Sequence, residues 1–154
     1  MSLTDLGLGP DPDAPLDADP ALSPQDCLVA LMIGTSMSDE NVRTAELVQI
    51  ANIVNNLPVF AEYDQDRLSE MGRMVMALLE DEDGLDRLFD LVRAGLPRRL
   101  WATAYALACD VAAAESRVTE PEGRMLEEIR DELAIDRLHA AAIERGARAR
   151  YMTV

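Results

Sequence analysis

Five carboxylates stand where this chain could do chemistry: Asp39, Glu46, Asp110, Glu115 and Glu122. Asp39 and Glu115 lie in short polar stretches that interrupt apolar runs, and Glu46 and Glu122 follow them. Asp110 sits inside an apolar run, between Cys109 and Val111. Carboxylate oxygens suit hard divalent cations such as Ca²⁺ or Mg²⁺. Acids drawn together repel one another, and a cation relieves that repulsion. Asp39, Asp110 and Glu115 are the expected centre of a weak cation site. A plainer reading stands beside it. Asp39 and Glu115 are then solvated turn residues, and Glu122 is a helix cap. Glu46 is then an acid near a helix N-terminus, favoured there by ~0.3–1 kcal/mol with no ligand. Asp110, if buried, needs a partner, because unpaired burial costs several kcal/mol; an arginine, a metal or polar network near the turn, and plain exposure are its three readings.

The elements that must position these acids are helices. Ser23 is an N-cap ahead of Pro24, which opens a first helix to about Met37. Residues Cys27 to Ile33 are apolar all round, so that helix is expected at the centre. A second helix covers roughly Arg43 to Asn56, with Leu47, Ile50, Ile53, Val54 and Leu57 inward, and Pro58 stops it. A third runs from about Asp64 to Glu80, and a fourth from about Leu85 to Gly95. The fifth, from about Pro97 to Ala114, is again apolar all round, with Trp101 and Tyr105 in the core. Thr119-Glu120-Pro121-Glu122 reads as a capping box for a sixth helix, Glu122 reaching back to the cap amide. Asp136 caps a seventh, which runs to about Arg148. The expectation is an all-α bundle of about seven helices in residues 23–154, behind an acidic, flexible tail over residues 1–22.

Charge narrows the partners. The 154 residues carry 29 acids against 14 bases, all arginine, for a net charge of −15. That balance repels nucleic acid and anionic membranes and suits cations or a basic protein partner. No apolar run reaches the ~18 residues of a membrane span. Residues 1–22 hold five Asp and no base, unlike a secretory signal, so a cytoplasmic location is expected. Cys27 and Cys109 then read as buried free thiols. No nucleophile–base pattern, glycine-rich phosphate loop or Cys/His metal spacing is present, which argues against an enzyme. Glu80-Asp81-Glu82-Asp83-Gly84 lacks the alternate acids of a calcium loop and reads as a solvated junction. His139 is the single histidine and reads as a surface residue.

The acids recur with a plan. Shifting the first half by 76 residues places Ala30-Leu31 on Ala106-Leu107 and Asp39 on Glu115 without a gap. Val42 falls on Val118, Glu46 on Glu122, Ile53 on Ile129 and Leu57 on Leu133. Each unit is a buried helix, an acidic turn, a valine plug and an amphipathic helix with an acid in its first turn. Such a pair cannot bury its apolar face alone, so two of them are expected to pack together.

With Asp39-Glu40-Asn41-Val42, Glu115-Ser116-Arg117-Val118 and the helix start Thr119-Glu120-Pro121-Glu122, the chain resembles the TerB family of tellurite-resistance proteins. The closing stretch Ile135 to Tyr151, with Gly146-Ala147-Arg148-Ala149-Arg150, is similar to a TerB branch common in alphaproteobacteria. The family's turn has the form Asp-Gly-Glu-Ile. Here Glu40 and Ser116 stand where it has glycine, and Glu115 where it has aspartate. The resemblance covers about residues 22–151. It implies a helical, non-enzymatic domain associated with tellurite resistance and chemical stress, with acidic surfaces proposed to bind metal ions. Because the fold also occurs as a module beside other domains, an acidic interaction module without metal is the alternative.

Overall fold

The computed structural model describes residues 22–38, 44–114 and 117–154. Among them are seven α-helices and no strand: α1 (Pro24–Met37), α2 (Thr44–Asn56), α3 (Arg67–Leu79), α4 (Gly84–Gly95), α5 (Trp101–Ala112), α6 (Glu120–Glu132) and α7 (Arg137–Arg150). The all-helical architecture expected from the periodicity is the one observed.

The two helices that are apolar all round form the middle of the bundle. Residues Cys27 to Met32 of α1 have no accessible surface, and α1 packs along α5. The amphipathic helices cover this pair. Helices α3 and α4 lie on α1, and α7 lies on α5. Helix α2 touches both α1 and α5, and α6 touches both α5 and α1. Tyr105, Phe89, Leu88, Ile129 and Val75 fill the space between them. Leu22 packs on this core from the near side of α1.

Helix starts follow the local chemistry. At α1, Ser23 Oγ accepts the Asp26 N–H at 3.0 Å while the Asp26 carboxylate accepts the Ser23 N–H at 3.3 Å, a closed capping box. At α7, Asp136 accepts the His139 N–H. Helix α3 begins at Arg67 rather than Asp64, because Asp64 Oδ1 takes the Asp66 N–H at 3.0 Å and holds a turn first. Helix α5 begins at Trp101 rather than Pro97, after a single 3-10 turn over Arg98–Leu100. Trp101 is only half-buried there. Its Nε1–H donates to the Leu96 carbonyl at 3.0 Å, and the Arg98 guanidinium lies 4.8 Å from its ring centroid. Gly84 is required where α3 turns into α4, since a Cβ would lie 1.8 Å from the Leu78 carbonyl oxygen.

Three apolar residues expected inside are outside. Leu47 is 53% exposed, Leu57 38% and Val118 45%. Helix α2 lies across the bundle on a narrow stripe, Ile50, Ile53 and Val54, so residues flanking that stripe face solvent. Val118 is therefore no plug, and its counterpart Val42 lies outside the described residues.

Candidate cation site

The five acids meet different fates. Asp39 and Glu115 lie outside the described residues. Glu46 and Glu122, in the first turns of α2 and α6, are each 1% exposed, a rare position for glutamate. The Ser36 hydroxyl, near the end of α1, donates to Glu46 Oε2 at 3.2 Å. This hydrogen bond ties the start of α2 to the end of α1.

Glu122 is held differently. Its N–H donates to Thr119 Oγ1 at 3.3 Å, and the Thr119 hydroxyl donates in turn to Glu122 Oε1 at 2.9 Å. The cap on α6 therefore forms, but the carboxylate takes the cap hydroxyl rather than the cap amide that a full capping box would use. Glu122 Oε2 is buried and has no hydrogen-bond partner among the described residues. A buried acceptor left without a donor costs about 1–3 kcal/mol. It is also what a cation or a further donor would satisfy.

Asp110 is engaged by an arginine, one of its three readings. Arg150, in the last turn of α7, donates from Nη2 to Asp110 Oδ1 across the face of α5. A cation at Asp110 would have to displace that guanidinium. Nearby, the Gln49 amide on α2 donates to the Tyr151 hydroxyl, so the end of α7 is pinned to both α5 and α2. No group of three or more His, Cys, Asp or Glu side chains with metal-binding geometry forms among the described residues.

The most elaborate polar cluster surrounds Asp26, a residue singled out by no spacing of acids in the sequence. Asp26 is 3% exposed. Its Oδ1 accepts from the Tyr63 hydroxyl at 2.8 Å and from Arg67 Nε at 2.9 Å, and its Oδ2 accepts from Arg67 Nη2 at 2.7 Å. Burial pushes this carboxyl up, but the bidentate guanidinium, the phenol and the Ser23 amide outweigh it and hold the carboxyl below its usual value. The same burial, with the adjoining Asp26 charge, pushes the Tyr63 phenol up. The sequence signal here was only the Ser23 N-cap ahead of Pro24. The partners lie 37 and 41 residues away, beyond any local pattern.

The remaining candidates are quiet. Cys27 and Cys109 are buried free thiols. Burial, reinforced by Asp26, pushes Cys27 up to about 11, and burial likewise pushes Cys109 up to about 12. Neither carries appreciable thiolate near neutral pH, so neither is a ready nucleophile. His139 is exposed. The residues Glu80 to Asp83 are exposed as well, and Asp81 pairs with Arg87. No helix of the described residues is long and apolar enough to cross a membrane. No family model, curated protein or solved structure matches the chain.

Proposed function

We propose that this chain is a non-enzymatic, TerB-like domain of the tellurite-resistance and chemical-stress type, and that it binds a hard divalent cation, Ca²⁺ or Mg²⁺, at the start of α6. One observation carries the reading: Glu122, seven residues after Glu115 in the sequence, presents a buried carboxylate oxygen with no donor among the described residues. Oxygen-only donors match a hard cation rather than a soft one. Glu46, buried in the first turn of α2 and seven residues after Asp39 in the sequence, is the second acid of the proposed set. Helices α2 and α6 each contact both α1 and α5. Asp110 enters only if Arg150 gives way.

Titration calorimetry of the full chain with Ca²⁺, Mg²⁺ and Mn²⁺ tests this. Saturable heat and a raised melting temperature are expected, and Glu115→Gln, Asp39→Asn and Glu122→Gln should weaken binding while leaving the helical spectrum intact. Absence of heat and of any melting shift for all three ions ends the proposal.

The second reading is an acidic docking module. Leu47 and Val48 are each 53% exposed on α2 beside the buried Glu46, on a chain with net charge −15. A basic amphipathic protein would fit that surface, with binding that weakens in salt and is indifferent to divalent ions.

A further inference from the structure

A second feature of the structure is an open cleft. It opens between α5, α6 and α7 and encloses about 740 Å³, within the ~300–1,000 Å³ of small-molecule sites. Neither Glu46 nor Glu122 lines it. Buried Tyr105, Cys109 and Ala147 form its floor, half-buried Leu126 and Ala113 its walls, and exposed Met152 and Val118 its mouth.

Its charge runs against that of the chain. Arg117, Arg130 and Arg148 line it, against Glu127 and Glu144, for a local balance of three bases to two acids on a protein of net charge −15. Glu144 is already occupied: the Tyr105 hydroxyl donates to its Oε1, and Arg130 Nη1 lies 3.5 Å from the same oxygen. Arg117 and Arg148 are exposed at the mouth and have no ion-pair partner among the described residues. Two uncommitted guanidinium groups above an apolar floor are complementary to an anion with an apolar body.

Gly123 adds a second observation. It is the fourth residue of α6, in the first turn, where glycine is still a poorer helix former than alanine. A Cβ built there meets no atom within 4 Å, so packing does not demand glycine. The empty space beside it is the cleft.

We propose that this cleft is a binding site for a small organic carboxylate with an aliphatic tail. The carboxylate sits between Arg117 and Arg148, and the tail lies along Leu126 and Ala113 toward Cys109. Glu122 does not line this cleft, but Gly123 follows it in the chain, so the calorimetry is run with divalent ions chelated to read the two sites apart.

Calorimetry of the full chain with octanoate, octanol and octyltrimethylammonium decides it. Octanoate should bind saturably at one per chain, with the alcohol and the cation at least about tenfold weaker. Arg148→Gln and Arg117→Gln should each weaken octanoate by about tenfold. Gly123→Leu should abolish binding without lowering the melting temperature, because it fills the cleft and improves the helix. Gly72→Leu, on α3 and likewise in open space, should leave binding unchanged. Equal affinity for octanol, full binding by the double arginine variant, or no saturable heat would overturn the proposal. If Gly123→Leu fails to fold, the two arginine variants, both at exposed positions, carry the decision. Sedimentation with anionic phospholipid vesicles in place of octanoate binding would point to a membrane surface and would also overturn it.

Discussion

Asp26 and Glu122 occupy the same local position and end up in opposite states. Each is the third residue of a helix behind a hydroxyl cap, in Ser23-Pro24-Gln25-Asp26 and Thr119-Glu120-Pro121-Glu122. Each is buried. Yet Asp26 receives hydrogen bonds on both oxygens, two of them from Arg67, whereas Glu122 receives one from Thr119 and leaves Oε2 without a donor among the described residues. The capping pattern decides where a helix begins. What the carboxylate then meets is decided elsewhere: Tyr63 and Arg67 reach Asp26, whereas Glu122 has Thr119 on one oxygen and no donor on the other among the described residues. A fully bonded buried acid is a structural tie, and a half-bonded one is the place to seek a ligand.

The contrast can be broken or sharpened by substitution, beginning with the largest effect. Asp26→Asn keeps the shape but weakens charge-assisted bonds, and should lower stability by about 1.5–3 kcal/mol in urea unfolding. Thr119→Val removes both the α6 cap and the donor to Glu122, leaving two oxygens unsatisfied, and should cost about 2 kcal/mol. Tyr63→Phe takes one of several donors from Asp26 and should cost about 1 kcal/mol. Glu122→Gln keeps the acceptor for Thr119 and loses no ion pair, so with divalent ions chelated it should change stability by less than about 1 kcal/mol. A Glu122→Gln variant as damaging as Asp26→Asn would erase the distinction.

Acid sharpens it further. The carboxyl of Asp26 is held below its unfolded value in the folded chain, so its contribution is complete above the ordinary carboxylate range. It is lost as pH falls through the lowered folded value. Wild type should therefore lose more stability than Asp26→Asn between about pH 5 and the acid limit, and the two curves should converge at low pH. Parallel curves would mean that Arg67 and Tyr63 do not stabilise the charged form.

Much of the architecture could be read from the residues. The unbroken apolar faces of Cys27 to Ile33 and of the Trp101 helix put α1 and α5 at the centre, and the Ser23, Thr119 and Asp136 caps placed three helix starts. Leu47 and Leu57 were misplaced because hydrophobic spacing shows that a helix has an inner face but not how wide its neighbours make it. The site was less legible. Glu46 and Glu122 stood out by their places after two acidic turns, but a capping glutamate and a buried ligand look alike in sequence. The Asp26 cluster joins residues from the start of α1, the approach to α3 and α3 itself, and no periodicity encodes that meeting. The arginine cleft comes from three helices, and no local pattern encodes their meeting; Gly123, in the first turn of α6, lines it.

The central claim is that a hard cation is bound at Glu122, and paramagnetic relaxation by Mn²⁺ tests it in place. The account predicts that substoichiometric Mn²⁺ selectively broadens the amide resonances of Glu122, Gly123 and Arg124, reverses on adding Ca²⁺ or Mg²⁺, and spares Asp26 to Leu28 at the start of α1. Uniform weak broadening, or broadening centred on the exposed acids from Glu80 to Asp83, would contradict it.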